Sequence, residues 1–220
     1  MIRFHPSGKI TLVIVSLLAI SSLVPLMMGL SPKLLWILLS IALVLIAIFC
    51  WQFFRHPRRE LGGAKLGEIY APADGVVVVI EQVDEKKHFH ERRTQLSIFM
   101  SPLNVHVNWT PCSGKVVSAE VMDGDYLFAR NPKSSELNEH SEVLIQHGAD
   151  VIYCKQIAGV MARRIICDVQ QGDGLAYSDE IGFIKFGSRV DLLLPLDYEV
   201  LVELGTKSVG NQTLVARKRG

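Results

Sequence analysis

The amino-acid sequence predicts a mainly β domain, barrel-like or sandwich-like, preceded by an N-terminal α-helical hairpin that spans a membrane. Residues 10–30 and 34–54 are each uncharged over 21 positions, which is the length that a helix needs to cross the hydrocarbon core of a bilayer. Beyond residue 54, short β-rich runs alternate with turn signals about every ten residues, and few windows keep a helical period. These observations predict the hairpin and the β domain respectively.

The distribution of charge divides the 220 residues into two parts. The whole chain is nearly neutral, with 23 Lys and Arg against 22 Asp and Glu, which argues against a disordered chain or a nucleic-acid binder with a global basic field. Residues 1–54 hold three basic residues and no acid, whereas the remainder holds 20 basic and 22 acidic residues. We therefore expect a membrane hairpin over 1–54 and a β-rich domain over 55–220.

The turn-like tripeptide Ser31-Pro32-Lys33 separates the two apolar runs and favours two spans. A cleaved signal peptide and a single span with a re-entrant segment are the alternatives. Basic residues flank the hairpin outside the turn: Arg3, Lys9, Arg55, Arg58, Arg59 and Lys65. The positive-inside rule then places both ends, and the domain after Arg55, on the cytoplasmic side of the inner membrane.

Short apolar runs define the predicted strands of the β domain. They are 76–80, 95–100, 105–109, 115–122, 143–146, 151–157, 163–169, 181–186, 190–194, 198–204 and 213–216. Turn signals such as Asp74-Gly75 and Gly172-Asp173-Gly174 separate many of them. The polar stretch 126–142 is predicted to be a loop. Cys50, Cys112, Cys154 and Cys167 show no metal-type spacing, so we expect small buried hydrophobic residues and no metal site.

The dipeptide Gly187-Ser188 interrupts a continuous apolar stretch. A Gly-Ser pair is ordinarily only a turn. Next to a glycine carbonyl, however, a serine hydroxyl is able to attack its own preceding peptide bond and form an ester by an N-to-O acyl shift. That reaction requires a strained or polarised peptide and a base.

Two residues upstream are candidates for the base and its partner. His106 alternates with Val105 and Val107 and so points to the opposite face of an extended run. Asp74 lies in a tight turn that leads into a strand. Imidazole shuttles protons near neutral pH, and a carboxylate fixes its tautomer. From spacing alone, Asp74, His106 and Ser188 are one of many combinations that would make a triad.

Several ordered motifs together make the chain resemble a known family. They are FRHPRR at 54–59, APADG at 71–75, SIFMSPLNVHVNWTPCSG at 97–114, IAGVMARRI at 157–165 and IGFIKFGSRVDLLLP at 181–195. With these motifs the chain resembles the short form of the phosphatidylserine decarboxylase proenzymes, which are pyruvoyl-dependent enzymes. The resemblance covers nearly the whole β domain.

The resemblance implies a self-processing enzyme. Cleavage between Gly187 and Ser188 would give a β chain of 1–187 and an α chain of 188–220, which remain together as a heterodimer. Ser188 would become a covalent pyruvoyl group, with Asp74 and His106 completing the self-processing triad. The longer relatives carry a second histidine that this motif lacks, so the proton donor of the turnover reaction stays open.

The resemblance also implies the reaction at the membrane surface. The pyruvoyl group would form a Schiff base with the amine of phosphatidylserine, release CO2 and yield phosphatidylethanolamine. Arg163 and Arg164 are candidates for binding the substrate phosphate, with a solvated pair as the alternative. Arg55, Arg58 and Arg59 are candidates for attracting anionic headgroups.

Two other functions remain open at this stage. A membrane-anchored serine hydrolase of the signal-peptidase kind would use Ser101 or Ser188 with Lys185. A non-enzymatic barrel-sandwich adaptor would account for the segments around 157–165 and 172–174. Both alternatives predict an intact chain. The pair His88 and His90 has the spacing of two imidazoles on one strand face, but an exposed or lipid-facing strand is the favoured interpretation.

Overall fold

The computed structural model describes residues 3–124, 138–159, 164–185 and 188–219. The chain forms two compact units, residues 1–58 and residues 59–220. The prediction of a mainly β protein with two apolar N-terminal helices is confirmed. Gly187 and Arg163, two of the predicted site residues, lie outside the described residues, as does the part 126–137 of the predicted loop.

The first unit holds two apolar helical segments and a short pairing of its two ends. Its elements are β1 (Arg3–Phe4), a 3-10 turn (Pro6–Gly8), α1 (Lys9–Ser21), α2 (Val24–Met27), α3 (Lys33–Phe53) and β2 (Arg55–His56), and β1 pairs with β2. The segments Pro6–Met27 and Lys33–Phe53 have mean hydropathies of 2.5 and 2.8. By length and composition, both are sufficient to cross a bilayer.

The first apolar run is interrupted near its middle. Helix α1 ends at Ser21, and the hydroxyl of Ser22 donates to the carbonyl of Ala19 at 2.7 Å. Pro25 follows in the first turn of α2; because proline has no amide hydrogen, it cannot continue the hydrogen-bond ladder of α1. The predicted uniform helix 10–30 is therefore two successive helices.

Side-chain hydrogen bonds join the two helical segments inside this unit. The hydroxyl of Ser40 donates to the carbonyl of Ser22 at 3.0 Å, and Trp51 Nε1 donates to Ser16 Oγ at 3.1 Å. The ring of Phe4 meets the Trp51 ring edge to face at 4.9 Å. Such bonds satisfy polar groups that have no water partner in an apolar environment.

The second unit consists of antiparallel strands arranged in three sheets. The strands are β3 (Glu68–Tyr70), β4 (Gly75–Glu85), β5 (Glu91–Met100), β6 (Val107–Trp109), β7 (Gly114–Met122), β8 (His140–His147), β9 (Asp150–Ala158), β10 (Ile165–Cys167), β11 (Gly174–Leu175), β12 (Glu180–Ile184), β13 (Ser188–Leu194), β14 (Tyr198–Val200), β15 (Lys207–Ser208) and β16 (Leu214–Lys218). The largest sheet has the order β11-β7-β8-β9-β13-β5-β4-β15. Two three-stranded sheets have the orders β10-β12-β6 and β14-β16-β3.

Strand β13 lies in the middle of the large sheet and is buried on both faces. It pairs with β5 on one side and with β9 on the other. Val190, Leu192 and Leu194 belong to the main hydrophobic core, whereas Leu193 packs on the opposite face with Leu144 and Tyr153. Burial on both faces accounts for the four apolar residues of this run, and its two charged residues, Arg189 and Asp191, are buried as an ion pair at 2.8 Å.

The end of the predicted loop 126–142 is strand rather than loop. Strand β8 begins at His140, and the polar residues Ser141 and Glu142 within it are buried. Their side chains have hydrogen-bond partners inside the protein. A polar residue whose side-chain hydrogen bonds are all made inside the protein is compatible with a buried strand, although its polarity in the sequence indicates a loop.

Gly75 allows β4 to approach β5 closely at the turn that carries Asp74. A Cβ atom at this position would lie 2.3 Å from the backbone carbonyl oxygen of Phe99 and 2.8 Å from the Ile98 side chain. The carbonyl belongs to the strand backbone and cannot move aside without breaking the pairing. The glycine of the APADG motif is thus required by strand packing.

We predict that Gly75→Ala destabilises the folded protein by about 1–3 kcal/mol, the usual cost of overpacking. The measurement is thermal or denaturant unfolding of the purified full chain. Gly174→Ala is the matched control, because nothing lies within 4 Å of a Cβ atom built there. Equal stability of the two variants would contradict the packing argument.

Candidate active site

Ser188 is a buried residue at the beginning of β13. It is paired with Met100 of β5 on one side and Ala158 of β9 on the other, and its relative exposure is 0%. Its hydroxyl donates to the sulfur of Met100 at 3.1 Å. A thioether is a weak acceptor, so this contact orients the hydroxyl without holding its proton strongly.

His106 lies just before β6 and is also fully buried. Its Nδ1 is 3.0 Å from the carbonyl oxygen of Asn104, and because a carbonyl only accepts, Nδ1 carries the hydrogen. In the neutral ring the basic lone pair is then on Nε2. The carbonyl of His106 accepts from the amide of Ile184 at 3.3 Å, which ties His106 to the strand that precedes Ser188.

A tight turn fixes the carbonyl that orients His106. The side-chain oxygen of Asn104 accepts hydrogen bonds from the Ser101 amide at 2.9 Å and from the Ser101 hydroxyl at 2.8 Å. This turn directly follows Met100, whose sulfur accepts from Ser188. One short segment of chain therefore contacts the serine and orients the histidine. It also engages Ser101, the other serine considered as a nucleophile.

Asp74 is held by Arg59, one of the three arginines that are candidates for attracting anionic headgroups. Arg59 forms a bidentate ion pair with the Asp74 carboxylate, with the second bond at 2.9 Å, and its guanidinium lies 4.7 Å from the Trp109 ring centre. The amide of Gly210 donates to the same carboxylate at 2.8 Å. Arg59 is thus engaged inside the β domain, and headgroup attraction remains a hypothesis for Arg55 and Arg58.

The loops that carry Asp74 and Asn104 face one cleft. The cleft has a volume of about 560 Å3 and is lined by Asp74, Gly75, Val76, Val78, Phe99, Ser101, Asn104, Lys207, Ser208 and Val209. The structure therefore brings Asp74 and the turn that orients His106 to a common cavity. The group that orients His106 Nδ1 is a backbone carbonyl, where the triad hypothesis expects a carboxylate.

A chain of buried amides, which the sequence analysis missed, leads to the same sulfur. Ser141 Oγ donates to Gln156 Oε1 at 2.6 Å, Gln156 Nε2 donates to Asn108 Oδ1 at 2.7 Å, and Asn108 Nδ2 lies 3.6 Å from Met100 Sδ. All three polar residues are fully buried. Asn108 follows His106 by two positions, which is the one sequence signal that places both on the same side of an extended run.

Arg164 stands at the edge of the described part of the chain. It is exposed, and its carbonyl lies 3.4 Å from the amide of Lys185. An exposed guanidinium is available to an anionic ligand, so phosphate binding by Arg164 stays a prediction.

A second polar cluster surrounds Glu142 on the other face of the sheet. Lys87 Nζ and His88 Nε2 lie 2.6 and 2.8 Å from Glu142 Oε2, and Lys155 Nζ lies 3.5 Å from Oε1. Burial by itself raises the pKa of Glu142, but hydrogen bonds from His140, Lys87, His88 and Tyr153 outweigh it and hold that pKa well below its usual range. His88 and His90 lie in the connection between β4 and β5 and not on a strand as predicted, and His88 belongs to the polar cluster around Glu142.

Burial raises the pKa of the thiols of Cys112 and Cys154. A cysteine with a raised pKa is a protonated thiol near neutral pH and a poor nucleophile. Both residues belong to the hydrophobic core. They are small buried hydrophobic residues, as predicted.

The profile and the relatives that match this chain all indicate the same family. The sequence profile described as phosphatidylserine decarboxylase matches residues 46–216. A phosphatidylserine decarboxylase proenzyme of Phocaeicola vulgatus is 40% identical over 217 residues, 98% of this chain and 95% of its own length. The phosphatidylserine decarboxylase proenzyme of Porphyromonas gingivalis is 46% identical over 187 residues, which are 82% of this chain and 84% of the relative. That of Amoebophilus asiaticus is 40% identical over 224 residues, which are 99% of this chain and 97% of the relative.

We predict that Glu142→Gln lowers the stability of the full chain at pH 7 by about 1–3 kcal/mol, because Lys87 and Lys155 lose their buried carboxylate partner. The pKa of Glu142 is depressed in the folded state, so its contribution is present above about pH 4.3, the usual value for an unfolded glutamate. It is lost as the pH falls further.

The measurement is denaturant unfolding of the unchanged protein and of Glu142→Gln between pH 7 and pH 3. The difference in their free energies of unfolding should shrink as the pH falls toward 3. Glu81→Gln on the exposed side of β4 is the control and should change little at any pH. A difference that stays constant down to pH 3 would contradict the assignment.

Proposed function

The chain belongs to the phosphatidylserine decarboxylase family, and on that premise we propose that it acts through a pyruvoyl group made from its own Ser188. It is an enzyme, a lyase of phospholipid biosynthesis that is made as a proenzyme and removes CO2 from phosphatidylserine. The observation that carries the pyruvoyl proposal is the position of Ser188, buried at the head of a central strand with its hydroxyl on a thioether.

In the proposed maturation, Ser188 Oγ attacks the carbonyl carbon of Gly187 while His106 Nε2 accepts the hydroxyl proton. The C–N bond of the peptide breaks, the new amine takes a proton, and the acyl group is then an ester on Ser188. Loss of the Cα hydrogen expels the Gly187 carboxylate, and addition of one water releases ammonia. The products are a β chain of 1–187 and an α chain of 188–220 that begins with the pyruvoyl group.

The surroundings of residue 188 fit both the serine side chain before this reaction and the pyruvoyl group after it. A thioether accepts a weak hydrogen bond from the serine hydroxyl and packs equally well against an apolar methyl group. Met100 thus suits both the hydroxymethyl side chain of the proenzyme and the methyl group of a pyruvoyl residue. Ala158 on the opposite side of Ser188 is small and apolar, which also suits a methyl group.

The sheet supports a stable heterodimer of the two chains after cleavage. Within 188–220, β13 pairs with both β5 and β9, β15 pairs with β4, and β16 pairs with β3. These partners all belong to 1–187. The α chain would therefore stay in place through strand pairing and core packing, without a covalent link.

A pyruvoyl group at position 188 would supply the electron sink for loss of CO2. Met100 and Ala158 would flank that group, and its buried position would exclude water from it, while the Asn104 carbonyl orients His106. We propose that Asp74, fixed by Arg59 and by the Gly210 amide, supplies the acidic wall of the cleft. Arg164 is the proposed contact for the substrate phosphate.

We also propose that residues 1–54 hold the enzyme at its lipid substrate. Two segments long and apolar enough to cross a bilayer support this proposal, because the acyl chains of phosphatidylserine remain in the membrane. The basic residues at both ends of the hairpin support a position of the β domain on the cytoplasmic side of the inner membrane.

We predict that the purified protein consists of two fragments and that Ser188→Ala is a single uncut, inactive chain of 24.5 kDa. Intact mass analysis under denaturing conditions measures both. The small fragment should lack a free amino terminus and should gain two hydrogens on borohydride reduction. Ser101→Ala keeps the amide hydrogen bond to Asn104 that holds the turn and should still be cut, which separates this proposal from a hydrolase that uses Ser101. An uncut Ser188→Ala protein with full decarboxylase activity would overturn the proposal.

We further predict that Gln156→Met slows self-cleavage by about tenfold, equivalent to about 1.4 kcal/mol in the barrier. The variant loses the hydrogen bond that orients Asn108 beside Met100, and such a bond contributes about 1 kcal/mol. The half-time of cleavage after cell-free synthesis measures the effect. The melting temperature of the Gln156→Met, Ser188→Ala double variant shows whether the fold is intact. Cleavage at the unchanged rate would remove the amide chain from the mechanism.

A further inference from the structure

The hairpin unit carries a groove that is basic at one end and apolar along its length. We call it the basic groove; its volume is about 780 Å3, and it is lined by Arg3, Phe4, Lys9, Leu12, Val13, Ser16, Leu17 and Trp51. Arg3 lies in β1 and Lys9 is the first residue of α1, and the apolar residues Leu12, Val13 and Leu17 follow along that helix. The groove therefore combines two cations with a path for a hydrocarbon chain.

The cations of the basic groove have no acidic partner in the part of the chain that the structure describes. Among the described residues, no carboxylate lies within ion-pair distance of Arg3 or Lys9, and residues 1–54 contain no Asp or Glu at all. Two like charges at the edge of an apolar surface repel each other unless an anion is present. A ligand that supplies a negative charge next to hydrocarbon is complementary to this arrangement.

The walls of the groove are apolar and accessible. Val13 and Leu17 are 58% and 61% exposed. The polar atom of Trp51 is already satisfied by Ser16 Oγ at 3.1 Å, so the tryptophan offers its ring to a ligand. Aromatic rings of this kind prefer the boundary between hydrocarbon and headgroups.

We propose that the basic groove binds one anionic glycerophospholipid, whose phosphate lies between Arg3 and Lys9 and whose acyl chain follows Leu12, Val13 and Leu17. A guanidinium and an ammonium both bind phosphate oxygens through charge-assisted hydrogen bonds. The site is separate from the proposed pyruvoyl site and rests on the proposed membrane position of the hairpin, not on the chemistry at Ser188.

A second copy of the hairpin is a poorer occupant than a lipid. Two copies that met through this groove would bring two sets of Arg3 and Lys9 together, and neither copy has an acid in residues 1–54 to compensate. Like charges brought together at an interface disfavour the complex. Charge complementarity thus selects the anionic lipid.

Trp51 provides a direct test because it lines the groove. The full-length protein is reconstituted in phosphatidylcholine vesicles that contain either brominated phosphatidylglycerol or brominated phosphatidylcholine, with bromine on the acyl chain near the glycerol. Phosphatidylglycerol is chosen because it lacks the amine and carboxylate that the decarboxylase needs. The fluorescence difference between the protein and its Trp51→Phe variant isolates the signal of Trp51.

We compare the mole fractions of the two brominated lipids that quench half of the Trp51 fluorescence. The value for phosphatidylglycerol should be lower than that for phosphatidylcholine by a factor on the order of ten, because two basic residues lie in the groove. The double variant Arg3→Gln, Lys9→Gln should quench equally with both lipids. Lys33→Gln, which removes the cation between the two helical segments, is the matched control and should keep the preference.

Three results would overturn the proposal. They are equal quenching by the two lipids in the unchanged protein, a preference that survives in the double variant, and the absence of Trp51 quenching by either lipid, which a groove filled by a second hairpin would produce. Trp36 in α3 separates the last case from a failure of insertion. If Trp36 is quenched and Trp51 is not, only the groove is excluded; if neither is quenched, the membrane position is excluded too. None of these outcomes tests the proposed processing at Ser188, so the failure of one proposal is distinguishable from the failure of the other.

Discussion

The pairing of β13 with strands on both sides is the constraint on which the proposed site depends. Hydrogen bonds to β5 and β9 fix the position of Ser188 at the beginning of the strand, and packing on both faces excludes water from it. A hydroxyl in such a place has few acceptors, and the one it finds on β5 is the weak Met100 sulfur. The same pairing would hold the strand after a chain break at its first residue.

Several buried polar groups of the proposed site have specific partners. Asp74 is compensated by Arg59, His106 is oriented by the Asn104 carbonyl, and Gln156 connects Ser141 to Asn108. An unpartnered buried polar group is costly, so each contact restricts the rotamers of the groups that it joins. The proposed site would then be preorganised by loops and strand ends on a rigid sheet.

The two units solve different physical problems with different residue types. Residues 1–54 use apolar helices that carry a charge only at their first residues, joined by hydrogen bonds of serine and tryptophan side chains, which suit an environment without water. Residues 59–220 use antiparallel strands around a hydrophobic core, with a buried charged cluster around Glu142. In the proposed function the two units would serve the two parts of the substrate, because phosphatidylserine has a water-soluble headgroup on chains that stay in the bilayer.

The sequence by itself determined the class of fold, the two apolar helical segments and the family, because hydropathy, turn residues and motifs are local properties. It also indicated Asp74, His106 and Ser188 as candidates, but spacing along the chain could not say which side chains meet. Only the tertiary structure decided that Arg59 pairs with Asp74, and that the sulfur of Met100 contacts both Ser188 and Asn108. These contacts join residues up to 88 positions apart. Their partners are set by strand register and burial, which no local pattern encodes.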